Sequence, residues 1–344
     1  MNAPRLVAAL TTLLLLASCK TDSTNAKPAD QAAAAPADPG LGLPTPLDSA
    51  ENPTTPEKAQ LGYTLFFDKR LSKDGSMACA GCHFTDHGWA TPNAVDTKVG
   101  GAANKRNTPT LLNVGLQPHF YWDGRAPTAE AVSLAAWKAQ LGADPAAVAP
   151  AIAAVPAYKE RFQAVFKEDP SADNIPKALG AFLRSLKAGN SGWDRFMAGD
   201  KTAMSEPAQR GWKLFQENAC IVCHVPPAFT NFQFHNVGIG SDKPEDQQDK
   251  GRMDHTKDAA DKGKFKTPSL RNVALTAPYF HDGSAATLDQ AINVMVGGGI
   301  ANPGLDQALT GHKLTDAQKA DLKAFLEALT GTPAFNAPAA DVPH

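Results

Sequence analysis

Cys79-Ala80-Gly81-Cys82-His83 and Cys220-Ile221-Val222-Cys223-His224 decide how this chain is read. Both have the C-x-x-C-H spacing, and they stand 141 residues apart. In that arrangement two thiols add across the vinyl groups of a haem, and the adjoining histidine ligates its iron from the proximal side. A zinc site or a redox dithiol would use the cysteines but leave both histidines unexplained. Two covalently bound haem c groups are therefore expected, on Cys79, Cys82 and His83 and on Cys220, Cys223 and His224. Four of the five cysteines are used in this way.

The motifs belong to a longer internal repeat. Glu57 to Phe66 parallels Glu206 to Phe215 at a shift of 149, pairing Gly62 with Gly211 and Leu65-Phe66 with Leu214-Phe215. Thr108-Pro109-Thr110-Leu111-Leu112-Asn113-Val114 parallels Thr267-Pro268-Ser269-Leu270-Arg271-Asn272-Val273 at a shift of 159. At the same shift Phe120-Tyr121-Trp122-Asp123-Gly124 meets Tyr279-Phe280-His281-Asp282-Gly283. Ala181-Phe182-Leu183 and Leu186 match Ala324-Phe325-Leu326 and Leu329 at 143. Each half is thus a cytochrome-c-like unit, with a helix ahead of the haem, a Thr-Pro loop and a closing helix.

Apolar residues at helical spacing occur over 57–67, at Leu61, Leu65 and Phe66, and over 315–329, at Leu322, Phe325, Leu326 and Leu329. Thr315 and Asp316 supply capping chemistry, and Gly331 stands where that helix would stop. The stretch 241–264 is charged and without period, and reads as a surface loop. The predicted fold is all-α, with two cytochrome-c-like haem domains, 48–195 and 200–335, packed on each other.

The fifth cysteine follows a targeting segment. Arg5 precedes an apolar run from Leu6 to Leu16, too short to span a bilayer, so residues 1–19 read as a cleaved signal peptide. Leu16-Ala17-Ser18-Cys19 resembles a bacterial lipobox, which would make Cys19 a lipid-modified N-terminus in the periplasm. Residues 20–47 are rich in Ala and Pro and are expected to form a disordered tether. With 33 Lys and Arg against 35 Asp and Glu, nothing points to nucleic acid or an anionic membrane surface as partner. The only membrane contact expected is the lipid on Cys19, and an oligomer is compatible with the sequence.

Several motifs together resemble the bacterial dihaem cytochrome c peroxidases and their MauG-type relatives. They are Leu65-Phe66-Phe67-Asp68, Arg106-Asn107-Thr108-Pro109-Thr110, Trp122-Asp123-Gly124-Arg125-Ala126, and the long run from Lys266 through Arg271-Asn272-Val273 and Thr276-Ala277-Pro278 to His281-Asp282-Gly283. The resemblance covers about 50–335. It implies a peroxidase that reduces H2O2 to water with electrons from a small redox protein, a cytochrome c or a cupredoxin.

The resemblance also assigns roles. Met295, fourteen residues after His281, stands where the family places a distal thioether on the second iron; its counterpart in the first half is Ala136, which cannot ligate. A thioether raises the potential of its iron and closes it, leaving the first iron accessible. Met204 and Met253 do not fit the repeat. His87 lies four residues after His83, too close to reach the opposite haem face, and is expected at a pocket edge or the surface. Trp122 matches the aromatic between the haems, an electron relay. Asn107, with the backbone oxygens of Thr276 and Pro278, matches a Ca²⁺ site whose neutral oxygens suit that ion.

One position departs from the family. Peroxide cleavage needs a group that takes a proton from one oxygen and delivers it to the other. Aligning on Pro145 puts Gln140 and Leu141 where the family has Glu and Met, and glutamine cannot shuttle a proton. Glu130, Asp144 or a water would have to substitute, or turnover is weak. Two further readings stay open on this ground: a MauG-like oxidase acting on a protein or small molecule through Trp122, and a non-catalytic dihaem electron carrier.

Overall fold

Thr55 opens the first helix by accepting a hydrogen bond from the Lys58 N–H, and Pro56 fills the first position, where no N–H is needed. The computed structural model describes residues 38–335 and 341–343, so the leader, Cys19 and the tether up to residue 37 lie outside the described residues. Within them the helices of the first half are α1 (Pro56–Phe66), α2 (Ala129–Ala139), α3 (Pro145–Ala153), α4 (Pro156–Phe166), α5 (Asn174–Ser185) and α6 (Gly192–Met197). The second half adds α7 (Glu206–Glu217), α8 (Cys220–Cys223), α9 (Met253–Thr256), α10 (Leu288–Val296) and α11 (Asp316–Glu327). Thr315 caps α11 through the Gln318 N–H, in a reciprocal capping box.

The repeat is visible in how helices cross. Helix α1 packs on α5, and α7 packs on α11. Gly62 and Gly211, paired in the sequence repeat, are the points of closest approach. A Cβ on Gly62 would lie 2.0 Å from the Ala178 carbonyl oxygen, and one on Gly211 would lie 1.9 Å from that of Asp321. Any larger residue would force the helices apart. Around each crossing lies an aromatic core: Phe66, Trp89 and Phe182 in the first half, Phe215, Phe229 and Phe325 in the second.

The described residues nonetheless form one compact unit, because segments of each half are built into the other. Two-residue strands β1 (Ala188–Gly189) and β4 (Thr332–Pro333) pair antiparallel, with Ala188 opposite Pro333. Beyond β4, Phe335 enters the first core, 4.7 Å from the Tyr63 ring, and its carbonyl accepts the Trp89 indole N–H at 3.1 Å. A second pair, β2 (Phe234–His235) and β3 (Phe265–Lys266), sets Phe234 opposite Lys266.

The expected disordered tether is corrected at its C-terminal end. The carbonyls of Pro39 and Leu41 accept the N–H groups of Gly189 and Asn190 at 2.8 and 2.9 Å, and Leu47 N–H bonds to Gly115. Gly42 sits over Asp194 with φ +77°, and its carbonyl accepts from Arg271 at 2.8 Å. Composition hid this because the segment gains order from backbone partners far along the chain, not from apolar side chains of its own.

Arg271 is the most deeply buried charge in that contact. Its side chain is 0% exposed and binds Asp194, 1% exposed, through two bonds of 2.7 and 2.9 Å. Its Nε also donates to Pro227 O at 2.6 Å. Burial alone would raise the Asp194 carboxyl, but the Arg271 guanidinium and the Ser191 groups outweigh it and hold it below the usual range.

Candidate haem sites

Both C-x-x-C-H segments form one tight turn, in which His83 N–H and His224 N–H return to the carbonyls of Cys79 and Cys220. The two histidines are then oriented identically. His83 Nδ1 lies 3.0 Å from Trp89 O, and His224 Nδ1 lies 3.1 Å from Phe229 O. A carbonyl only accepts, so Nδ1 carries the proton and Nε2 is left with the lone pair a metal needs. Burial holds both imidazoles below their ordinary pKa, His224 at about 4, so they stay neutral ligands.

The cysteines fit thioether attachment and not the alternatives. Burial raises the thiols of Cys79, Cys82 and Cys220 to about 12, 11 and 11, the opposite of an activated redox thiol. Among the described residues no group of three or more His, Cys, Asp or Glu side chains is placed to hold a metal ion.

In front of His83 opens a cavity of about 1000 Å³, at the upper end of the range of roughly 300–1000 Å³ for small-molecule sites. Its wall includes Cys79, Cys82, Ala136, Gln140, Leu141 and Trp122. Ala136 and Gln140, one turn apart at the end of α2, face it together. The Gln140 Oε1 is buried and has no hydrogen-bond partner among the described residues. Trp122 is fixed from both sides: its indole N–H donates to Asn107 O at 2.9 Å, and its own carbonyl accepts from Lys266 N–H at 2.7 Å.

Glu130 is corrected as a proton carrier. It belongs to a structural network away from the cavity, accepting from Asn52 at 2.6 Å and Arg184 at 2.7 Å. Burial pushes its carboxyl up, but those two partners prevail and leave it below the usual range, an ionised group already committed. Asp144 is exposed and caps α3 through the Ala146 N–H. His87 turns away from the cavity and bonds to Ala277 O in the second half.

Met295 lies on α10, half-buried, on the stripe that carries Leu288 and Ile292 into the second core. Asn107 is buried; its N–H donates to His281 O at 2.7 Å, and its amide Nδ2 donates to the Asn93 and Ala94 carbonyls. This leaves Oδ1, with the Thr276 and Pro278 carbonyls, free of hydrogen bonds to described residues.

Sequence reasoning missed the walls of the cavity. Arg106 joins Asp123 at 2.7 Å to Asp249 at 2.6 Å, and Asp249 comes from the stretch read as a plain surface loop. Burial lowers the Arg106 guanidinium, yet the two carboxylates more than restore it. The one available signal was that Arg106 and Asp123 fall inside long motifs.

Two histidine-anchored C-x-x-C-H turns, each in its own helical half, define a dihaem c-type cytochrome. The sequence pattern of the family described as di-haem cytochrome c peroxidase matches residues 56–202. The methylamine utilization protein MauG of Methylophilus methylotrophus is 35% identical over 84% of this chain and 86% of the relative. The cytochrome c551 peroxidase of Nitrosomonas europaea is 34% identical over 84% and 85%. The crystal structure of a MauG-like protein associated with microbial copper homeostasis superposes with a TM-score of 0.77 at 32% identity, over 84% of this chain and 93% of that one. The chain belongs to the di-haem cytochrome c peroxidase and MauG family. Its all-α haem fold, its two haem c groups and its standing as a peroxidase-type oxidoreductase, with H2O2 as substrate and a redox protein as donor, follow from that membership.

Proposed function

We propose that the two sites divide the reaction, with peroxide reduced at the His83 site and electrons received at the His224 site from a cytochrome c or cupredoxin. The observation that carries this is Ala136 on the wall of the His83 cavity, at the repeat position where the second half has Met295. The haems, when bound, supply the iron that takes peroxide and the iron that stores electrons. The chain's part is to leave one iron open and to close the other. EPR of the resting protein should give one high-spin and one low-spin ferric signal, with only the high-spin signal altered by H2O2. Two low-spin signals at rest would overturn the division. Met295→Ala should lower the potential of the second haem and open it in a redox titration; no change would remove Met295 as its ligand.

Trp122 is proposed as the relay between the sites. It lines the His83 cavity and is tied to the second half through Lys266 N–H. Trp122→Phe should keep both haems and slow several-fold the reduction of the peroxide-treated protein by its donor, read by stopped-flow absorbance. Unchanged rates with electron transfer limiting would eliminate the relay.

Asn107 Oδ1 with the Thr276 and Pro278 carbonyls forms the proposed Ca²⁺ site, a neutral oxygen set suited to a hard cation. Export to the periplasm and a lipid on Cys19 complete the reading. Covalent haem attachment outside the cytoplasm supports the former, and Leu16-Ala17-Ser18-Cys19 supports the latter. No described helix is long and apolar enough to cross a membrane.

A further inference from the structure

Lys266 lies on β3 with 6% of its surface exposed, and its ammonium has no hydrogen bond or ion pair with a described residue. Other buried or half-buried cations do have partners among the described residues. Arg106 holds Asp123 and Asp249, Arg184 holds Glu130, and Arg271 holds Asp194. Even Lys58 reaches Asn52 Oδ1 at 2.9 Å and Pro53 O at 2.7 Å. An ammonium buried without an anion is costly, and native proteins pair such groups. Lys266 lines the cavity that also holds His83 and Trp122. Of the carboxylates on that wall, Asp123 and Asp249 are already engaged by arginines, and Asp246 and Asp254 are exposed and make no ion pair with Lys266.

The partner must then come from what fills the cavity, and a haem brings two propionate carboxylates. We propose that Lys266 is a cofactor-binding residue of the second half that pairs with a propionate of the haem in the His83 cavity. The proposal rests on reading this cavity as the first haem's site. Burial alone pushes the Lys266 ammonium down to about 8, with no carboxylate of the chain acting on it. An anion in the cavity would reverse that. Because the Lys266 N–H also holds the Trp122 carbonyl, one residue would fix both the relay and the cofactor edge beside it. A positive charge at that edge favours the reduced iron.

The test is a spectroelectrochemical titration of Lys266→Met and Lys266→Arg, with haem content measured separately by pyridine haemochrome. Two haems per chain in the wild type establish occupancy independently of the lysine. Lys266→Met should lower the midpoint potential of the haem on His83 and leave the other unmoved, while Lys266→Arg, which keeps the charge, should stay near the wild type. Equal shifts in both variants would indicate packing, and no shift in either would mean no charge contact; both overturn the proposal. A shift confined to the haem on His224 would place the contact on the other cofactor and also overturn it. If Lys266→Met does not hold both haems, Lys266→Gln, which keeps a donor without the charge, is read by the same criteria.

Discussion

Gln140→Glu should raise peroxidase turnover by about 10²–10⁴-fold, the range a positioned general acid–base contributes. The Gln140 Oε1 is buried on the wall of the His83 cavity without a hydrogen-bond partner among the described residues. A neutral amide there can accept or donate a hydrogen bond to bound peroxide, but it cannot give up a proton. Steady-state turnover with H2O2 and a reduced small redox protein is the measurement, with haem spectra as the check on integrity. Glu130→Gln serves as a control, because its carboxylate is bound by Asn52 and Arg184; it should cost stability and leave the chemistry alone. A fast wild type that does not respond to Gln140→Glu would show that the proton travels by another route. Absence of peroxide turnover in every variant would favour the electron-carrier reading.

The second large effect is structural. Arg271→Met should cost about 3–5 kcal/mol, because it strands the Asp194 carboxylate in the interior. The sign of the pH dependence follows from the shift. In the wild type Asp194 is held below its ordinary pKa, so its contribution is present at neutral pH and is lost as pH falls through that depressed value. Without Arg271, burial governs and raises the carboxyl, so the variant recovers stability as acid neutralises it. The deficit in denaturant unfolding of the holo-protein should be largest near pH 7 and shrink towards pH 4. A deficit below about 1 kcal/mol, the scale of an exposed pair, would show the contact to be dispensable.

What could be read from sequence was local or repeated. The haem turns, the α1 and α11 periods, the Thr315 cap and the pairing of Gly62 with Gly211 all lie within short windows or recur at a fixed shift. Glu130 was misread because its partner Arg184 is 54 residues away, and nothing near Glu130 announces an ion pair. Asp249 was hidden in a charged stretch without period, where any one carboxylate looks like its neighbours. Lys266 passed as part of a motif; its burial shows only once β3 is set against the first half. The order in residues 39–47 depends on Gly189 and Asn190, which no local pattern connects to them.

Phe335 has a consequence for how the protein is made. Its ring lies against Tyr63 and Phe182, and its carbonyl takes the Trp89 indole proton. The core behind the first haem therefore closes with a residue that leaves the ribosome more than a hundred residues after Cys223. While the chain is emerging, the first half stays unsealed at that corner, with the Trp89 N–H unanswered. Final closure of that core therefore waits on the end of the second half. Separating the halves into independent modules would leave the first one open at Trp89.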